Sequence, residues 1–312
     1  MDLYLIGNGF DLNENLNTKY DDFRRYLQEN NSDLIDSLRQ FYDSIFDDKK
    51  NENEILNFDR SVLIKNAHTF HQPNEYLWGS LERNLANISY SSIIHEFGLY
   101  RFPIKNCKGL IKNISDNYKN TLVNLNRELS NWISRIETNT LFKKQFRSVN
   151  NFISFNYTNT LENRYSVEGK DICYIHGTAN KGNLVFGCSE EDIKCYNEYS
   201  FDHINSSSIA IELKRVLSKR FKCVNEVIIS KLQPFLNGKE FDRIIVLGLS
   251  FSTVDLPYLD FIQKLFPKSN WVISFRDDSK ERIINFLNSH KLNYILIDDI
   301  DSFLLKETVD VF

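Results

Sequence analysis

The sequence opens with a glycine turn that could bind a phosphate group. Gly7, Asn8 and Gly9 directly follow the apolar run 3–6 (LYLI), which is typical of a buried strand. A strand that ends in a glycine turn and leads into a helix presents backbone N–H groups to a phosphate. Leu12 replaces the third glycine of the dinucleotide-binding fingerprint. The turn alone therefore fits both a ligand site and a structural tight turn.

A histidine near the middle of the chain is the candidate for a catalytic base. His176 follows the run 171–175 (DICYI) and precedes Gly177, which gives the backbone beside the imidazole unusual freedom. An imidazole exchanges a proton near neutral pH, as a general base must. The alternative is a partly buried structural histidine that is hydrogen-bonded to backbone groups.

Two further polar residues could orient a nucleotide. Asn156 follows the run 151–155 (NFISF), and its amide can both donate to and accept from a ribose or a carboxamide. Asp11 follows the glycine turn and could hold a ribose hydroxyl or a nicotinamide amide. Both residue types are also common helix caps, which is the structural alternative for each.

The remaining binding candidates follow the same predicted strands: Phe10, Tyr157, Thr158, Gly177, Gly248, Ser250 and Asp255. Ligands of open α/β sheets bind beyond the carboxyl ends of the strands. Polar residues that follow several strands of one sheet therefore meet at one edge. We expect the catalytic and binding candidates to form a single site there.

The pattern after residue 150 predicts the fold. Short β-branched or aromatic runs alternate with segments of helical periodicity, which indicates a parallel sheet covered on both faces. The predicted strands are 3–6, 151–155, 171–175, 184–186, Arg243–Leu247, 271–275 and Tyr294–Ile297, and the predicted helices are 158–166, 206–236, 254–266 and 279–289. The sequence thus predicts an α/β, Rossmann-like parallel sheet that includes the opening strand.

Residues 18–147 show helical periodicity and almost no strand pattern. Thr18 is a suitable N-cap, and apolar residues recur at helical spacings in two long segments that follow it. We predict a large all-helical insertion after the first strand, which caps the strand ends. The predicted domains are a nucleotide-binding domain, 1–17 with 148–312, and the helical domain 18–147. The acidic, asparagine-rich stretch 47–57 is expected to be a mobile loop.

The composition is that of a folded globular protein. The chain has 312 residues, of which 42% are hydrophobic and 26% are charged. Its formal net charge of −4 gives no general attraction to nucleic acid, which is not expected as a partner. The basic run between Lys214 and Lys222 is typical of a solvated helix face. No apolar run approaches the roughly 20 residues of a membrane-spanning helix, so no membrane partner is expected.

Cysteine and histidine spacing argues against a bound metal. The five cysteines are odd in number and include no C-x-x-C pair, which is typical of reduced thiols in a cytoplasmic protein. Cys188 and Cys195 have no nearby pair that would complete four zinc ligands. His68 and His71 are three residues apart, but Pro73 favours a helix end there. We expect no metal and a cytoplasmic location.

Several motifs together are similar to those of one protein family. The sequence resembles the AbiH family of bacterial abortive-infection proteins in segments that span nearly the whole chain in order. The segments are IGNGFDL (6–12), TKYDDF (18–23), Trp78 with LE at 81 and 82, SFNYTNTLE (154–162), IHG (175–177) and GLSFSTVDLPY (248–258). This resemblance implies a role in phage defence and, with it, a phage-derived trigger.

A more distant resemblance concerns mechanism. Sirtuin-like NAD-consuming domains have a G-A-G turn after the first strand, a T-Q-N-x-D or T-N-Y-D segment, a catalytic histidine before glycine, and a G-x-S segment. The similar positions here are 7–9, 154–158, 176–177 and 248–250. This resemblance implies that Gly7 to Gly9 hold the pyrophosphate of NAD and that His176 is catalytic.

The chain departs from the sirtuin pattern at informative positions. Asn8 replaces the small alanine, Thr158 stands where aspartate is usual, and the zinc ribbon of many deacetylating sirtuins is absent from the sequence. Protein deacetylation is therefore not expected. Hydrolysis of NAD needs no groove for an acylated peptide and is compatible with these departures.

The sequence therefore favours an abortive-infection effector that binds NAD or a related nucleotide and hydrolyses NAD to nicotinamide and ADP-ribose without another cofactor. His176 would be the base for a ribose hydroxyl or the attacking water, while Asn156 and Asp11 would orient the nicotinamide riboside. One alternative is a non-catalytic sensor of NAD or ADP-ribose that signals to a partner. Another is a nuclease, which would need clustered carboxylates or a basic face. The oligomeric state stays open, with a homo-oligomer among the alternatives.

Overall fold

The structure, a computed structural model, describes most of the chain. The described residues are 1–42, 81–85, 88, 90–140, 143–182, 184–185, 208–217 and 224–311. Several residues considered above lie outside these ranges: 47–57, His68, His71, Pro73, Trp78, Phe186, Cys188, Cys195, Lys222 and Cys223.

The chain divides into two compact units. The first consists of Met1–Lys19, Ser130–Val185 and Cys223–Phe312, and the second of Tyr20–Leu129 and Phe186–Lys222. The domain limits drawn from the sequence stay a prediction.

A parallel sheet forms the centre of the first unit. In chain order the strands are β1 (Asp2–Ile6), β2 (Lys143–Phe146), β3 (Asn151–Ser154), β4 (Ile172–Tyr174), β5 (Arg243–Leu247), β6 (Asn270–Ser274), β7 (Tyr294–Ile297) and β8 (Thr308–Val311). The sheet contains six of them in the order β4-β3-β1-β5-β6-β7, and each neighbouring pair is parallel. Counted along the chain, this is the 3-2-1-4-5-6 order of a Rossmann fold. The predicted α/β, Rossmann-like sheet is confirmed.

The central strands are buried because apolar clusters cover both faces of the sheet. Every residue of β1 and of β3 is buried. Leu3 and Leu5 enter one apolar cluster, whereas Tyr4 and Ile6 enter another, because alternate side chains of a strand point to opposite faces. A parallel sheet covered on both faces requires such continuous apolar runs.

The helices alternate with the strands in the second half of the chain. In chain order they are α1 (Asn8–Asn13), α2 (Tyr20–Asn30), α3 (Ser32–Tyr42), α4 (Leu81–Asn84), α5 (Tyr90–Glu96), α6 (Ile104–Ser134), α7 (Thr160–Tyr165), α8 (Ser208–Leu217), α9 (Val224–Val227), α10 (Gln233–Leu236), α11 (Leu256–Leu265), α12 (Asp277–Ser289) and α13 (Ile300–Glu307). A π-helical stretch, Ile228–Leu232, joins α9 to α10. The predicted helical segment after the first strand is present, and its longest helix is α6.

The described part of the second unit is helical. On α6, Ile114, Tyr118 and Leu125 are buried and recur at helical spacing, as the sequence predicts. Leu110, expected on the same face, is exposed, and Ile111 is buried in its place. The ring of Tyr118 lies 5.0 Å from that of Phe41 on α3, measured between centroids. These contacts hold α6 and α3 together through apolar side chains.

Two elements differ from the prediction. Strands β2 and β8 form an antiparallel pair with Phe146 opposite Thr308, although the sequence places β2 inside the helical insertion. The sequence does not predict this strand because only Phe146 of its four residues is buried, so β2 lacks a β pattern of its own and depends on a distant partner. Leu184 and Val185, predicted to begin a strand, are not part of one.

Candidate functional site

The loop after β1 packs directly against the loop after β5. The N–H of Gly7 donates to the carbonyl oxygen of Leu247 at 2.9 Å, and the N–H of Gly9 donates to that of Gly248 at 2.8 Å. A Cβ atom on Gly7 would lie 2.6 Å from the Gly248 carbonyl oxygen, so a larger residue does not fit. The glycines thus allow two loops to meet at the point where the strand order reverses. The N–H groups of Gly7 and Gly9 are used inside the protein.

Asn8 and Phe10, also predicted for this loop, have different surroundings. Asn8 is exposed, and its Nδ2 donates to the carbonyl oxygen of Thr18 at 3.1 Å. Phe10 is fully buried, with its ring centroid 5.2 Å from that of Tyr165. Phe10 therefore belongs to the core, whereas Asn8 lies at the surface of the loop.

Asp11 is a buried carboxylate just beyond the carboxyl end of β1. It lies in the first turn of α1 and is 1% exposed. The hydroxyl of Thr158 donates to Oδ2 at 2.6 Å, and the hydroxyl of Thr160 donates to that of Thr158 at 3.0 Å. Oδ1 has no hydrogen-bond partner among the described residues. One carboxylate oxygen is therefore anchored, and the other can accept a further hydrogen bond.

The surroundings of Asp11 set its protonation. Burial raises the pKa of Asp11 to about 6, against the effect of Thr158, Thr160 and Asn156, whose polar side chains favour the ionised form. The carboxyl group is therefore mostly ionised at neutral pH and protonated in mildly acidic solution. A group that titrates in this range is suited to acid–base or electrostatic catalysis.

Asn156 is held by two hydrogen bonds beyond the carboxyl end of β3. Its Nδ2 donates to the carbonyl oxygen of Gly7 at 3.1 Å, and its backbone N–H donates to Oγ of Ser154 at 3.2 Å. The residue is buried, and its Oδ1 has no hydrogen-bond partner among the described residues. The amide is thus fixed in orientation, with an acceptor oxygen that is buried and unpaired among the described residues.

His176 follows β4 and lies among aromatic rings. Its ring centroid is 5.9 Å from that of Phe155, 6.0 Å from that of Tyr157 and 5.8 Å from that of Tyr258. The residue is buried, and the next residue, Gly177, adopts a positive φ of 75°. The aromatic neighbours hold the imidazole in one place, which both a structural and a catalytic histidine require.

These contacts join the ends of three adjacent strands. Gly7 and Asp11 after β1 bind Asn156 and Thr158 after β3, and the ring of Tyr157 after β3 contacts that of His176 after β4. The strands β1, β3 and β4 are direct neighbours in the sheet. The candidates that follow these three strands therefore lie together.

The candidates after β5 make contacts of another kind. The N–H of Gly248 donates to Oγ of Ser274 at 2.8 Å. Ser250 is exposed, and its carbonyl oxygen accepts a hydrogen bond from Nε of Arg282 at 3.1 Å. Asp255 precedes α11 and accepts a hydrogen bond from the Ser252 hydroxyl at 2.7 Å. These contacts are those of a loop and a helix start, and none of them reaches Asp11 or Asn156.

A pocket of about 400 Å³ lies beside Thr158. Tyr157, Thr158 and Asn159 form one wall, and the segment 133–139, which contains the end of α6 and the loop after it, forms another. Nδ2 of Asn163 donates to the hydroxyl of Thr138 at 2.6 Å and so joins the two walls. The volume lies within the range of about 300–1,000 Å³ that is common for small-molecule sites.

Several of these lining residues are not among the candidates predicted from the sequence. Asn159 directly follows a candidate, and Asn163 lies one helical turn further on, so both could have been found from spacing alone. The segment 133–139 lies at the end of a helix rather than after a sheet strand, and no local signal connects it with the site. Only the folded chain brings it to Thr158.

Two general properties concern the described residues. Among them, no group of three or more His, Cys, Asp or Glu side chains is placed to hold a metal ion. Within the same residues, no helix is long and apolar enough to cross a membrane.

The fold and these contacts define a class of protein. A parallel sheet in 3-2-1-4-5-6 order, with buried polar side chains beyond the carboxyl ends of adjacent strands, is a Rossmann-like architecture. A family model described as Bacteriophage abortive infection AbiH matches residues 3–275, and the chain belongs to this family. The family connects the protein with phage abortive infection. No curated protein and no solved structure matches the sequence.

Proposed function

We propose that this AbiH-family protein is an abortive-infection effector that hydrolyses the bond between nicotinamide and ribose in NAD. One observation carries the proposal: the acceptor oxygens Oδ1 of Asp11 and Oδ1 of Asn156 are buried beyond neighbouring strands and have no partner among the described residues. Buried polar atoms normally have hydrogen-bond partners. Two unpaired acceptor oxygens on the neighbouring loops after β1 and β3 therefore favour a ligand with donor groups. Ribose hydroxyls and a carboxamide are donors of this kind.

The reaction places specific demands on the site. The bond between C1′ of the ribose and N1 of the nicotinamide breaks, and its electron pair returns to the pyridine nitrogen and cancels the positive charge there. A water oxygen forms a new bond to C1′, and a base takes one of its protons. Positive charge develops on the ribose in the transition state, so an anionic group fixed nearby lowers the barrier.

The three candidates can meet these demands in different ways. Asp11, with a pKa of about 6, is mostly ionised at neutral pH and supplies the negative charge. Asn156 can accept a hydrogen bond from a ribose hydroxyl or from the carboxamide, because Nδ2 is already bound to Gly7. His176 is the base for the water or for a ribose hydroxyl. Each role uses an atom that the fold holds in place.

The pocket beside Thr158 is the space in which we place the nicotinamide riboside. It borders Tyr157 and Thr158, and the hydroxyl of Thr158 is bonded to Asp11. Its lining is rich in polar side chains, Asn159 and Asn163 among them. Asp11 lies behind Thr158, one hydrogen bond away from this pocket, and Tyr157 on its wall contacts the ring of His176.

The proposal is tested with purified protein and NAD in water enriched in ¹⁸O, with and without phage components. Hydrolysis releases nicotinamide and places one ¹⁸O atom in each ADP-ribose, as read by mass spectrometry. Asn156→Ala should lower both NAD binding and nicotinamide release. Asn270→Ala is the matched control, since Asn270 is exposed at the amino end of β6, whereas the candidate site lies beyond the carboxyl ends of the strands.

Two other outcomes would favour the rival functions. A protein that binds NAD or ADP-ribose in a manner that depends on Asn156, yet never releases nicotinamide, would be a sensor. A protein that leaves NAD intact and degrades RNA under the same conditions would be a nuclease. Either result contradicts the proposed hydrolysis.

A further inference from the structure

A second pocket, of about 270 Å³, lies along the edge strand β4 and has a basic lining. Its charged lining residues are Lys181, Lys231 and Glu162. The carboxylate of Glu162 accepts a hydrogen bond from the hydroxyl of Tyr174. Two cations therefore share the pocket with one carboxylate that already has a hydrogen-bond donor. This arrangement attracts an anion more than a cation.

Lys231 extends from the π-helical stretch to the end of β4. Its Nζ donates to the carbonyl oxygen of Ile175 at 3.1 Å and to that of Tyr174 at 3.4 Å, directly before His176. An ammonium group has three N–H donors, so one remains for a ligand. Burial lowers the pKa of Lys231, and a bound anion would offset this loss of hydration. π-Helical turns are frequent at functional sites.

The rest of the pocket comes from the segment that follows His176. Gly177 and Thr178 line it, and Lys181 ends the short 3₁₀ helix Ala179–Lys181 with its side chain exposed. Ala179, one residue beyond Thr178, lines the pocket beside Thr158. The two pockets therefore share one segment of chain, which begins directly after the candidate base.

We infer that this second pocket binds the diphosphate of the nucleotide, with Lys181 and Lys231 as its cationic contacts. The inference rests on the proposed function and specifies where the phosphates lie. The two lysines take the place of the backbone donors that the sequence suggested, because the N–H groups of Gly7 and Gly9 already donate to Leu247 and Gly248. Lysine ammonium groups bind phosphate as point charges and need no glycine cradle.

Calorimetric titration with ADP-ribose and with inorganic pyrophosphate tests the inference. A charge-assisted hydrogen bond contributes about tenfold in affinity, so Lys181→Gln should weaken both probes about tenfold and Lys181→Gln with Lys231→Gln about a hundredfold. The wild-type affinity should also fall as salt rises, and the double variant should lose most of that dependence. Lys268→Gln is the matched control, since Lys268 is exposed near the amino end of β6.

The single variant Lys181→Gln controls for misfolding. Lys181 is exposed, whereas Lys231 also donates to two carbonyl oxygens, so its replacement could disturb the fold. Equal affinity of the wild type and the double variant for ADP-ribose would overturn the inference, as would an absence of pyrophosphate binding. The two proposals fail separately. Nicotinamide release with an unchanged KM in the double variant would refute this site alone. Lysine-dependent ADP-ribose binding without nicotinamide release would refute hydrolysis alone.

Discussion

The hydroxyl of Thr158 donates a hydrogen bond of 2.6 Å to Oδ2 of the buried Asp11. The two residues are far apart in sequence and meet because β1 and β3 are parallel neighbours, so their following loops leave the sheet at the same edge. The bond fixes one oxygen of the carboxylate and leaves Oδ1 for another partner. This pair is therefore the centre of the candidate site.

The first prediction concerns the pH dependence of stability. The pKa of Asp11 is about 6 in the folded protein, above its ordinary value of 3.8, so the folded state holds a proton that the unfolded state has already lost. Above pH 6 the buried carboxylate is ionised. Asp11 then lowers the free energy of unfolding by its largest amount, because a charge is buried in the folded state. Asp11→Asn removes this effect and should raise the free energy of unfolding relative to the wild type. This gain should be larger at pH 7 than at pH 4 by roughly 2 kcal/mol.

Urea denaturation of both proteins at the two pH values measures this difference, because other groups titrate alike in each and cancel. A stability difference between Asp11→Asn and the wild type that stays constant from about pH 4 to about pH 7 would show that Asp11 has an ordinary pKa.

The second prediction concerns the contact between the two loops. A Cβ atom on Gly248 would lie under 3.0 Å from backbone atoms of Gly9 and Phe10, and the residue adopts φ +69°. Gly248→Ala should therefore cost about 3–5 kcal/mol, from overpacking added to left-handed backbone strain. Gly238→Ala is the control, because Gly238 has φ +73° but nothing within 4 Å, and it should cost about 1–2 kcal/mol. Equal costs would mean that the loops can separate.

The third prediction concerns an ion-pair cluster at the amino ends of the strands. The guanidinium of Arg243 binds both oxygens of Asp2, at 3.1 and 2.6 Å, and both oxygens of Glu307, at 3.1 and 3.2 Å. Asp2 is buried, so Arg243→Ala leaves a carboxylate without its cation and should cost about 2 kcal/mol. Lys170→Ala breaks an exposed pair with Glu168 and should leave the free energy of unfolding nearly unchanged.

Chemical denaturation of Arg243→Ala, Asp2→Ala and the double variant separates the pair from its surroundings. A coupling energy near zero between the two substitutions would contradict the stabilising role of the cluster.

Much of the fold can be predicted from the sequence, because the sheet depends on local patterns. The apolar runs at Arg243–Leu247 and Tyr294–Ile297 match β5 and β7 with the same limits. β5 is a buried parallel strand, which needs such a run irrespective of its partners, whereas β7 is a largely exposed edge strand whose β-branched and aromatic residues favour the extended conformation. β2 was missed because its conformation depends on β8, at the other end of the chain.

The site was only partly predictable. Asp11, Asn156 and His176 follow strands that the sequence identifies, and those strands prove to be neighbours. The packing of Gly7 on Gly248 could not be foreseen, because a glycine turn looks the same whether a phosphate or another loop approaches it. Lys231 was missed because it reaches the end of β4 from a helix, and no spacing in the sequence reveals that contact.

The rate of nicotinamide release from NAD by the wild type, His176→Ala and His176→Phe tests the central claim most directly. His176→Phe keeps a ring among Phe155, Tyr157 and Tyr258, and a melting temperature near that of the wild type would show that it is folded. Removing a base that acts only in the transition state should lower turnover about 10²- to 10⁴-fold and leave the affinity for NAD nearly unchanged. A folded His176→Phe protein that cleaves NAD at the wild-type rate would contradict the account, and so would a wild type that binds NAD without cleaving it, with phage components present.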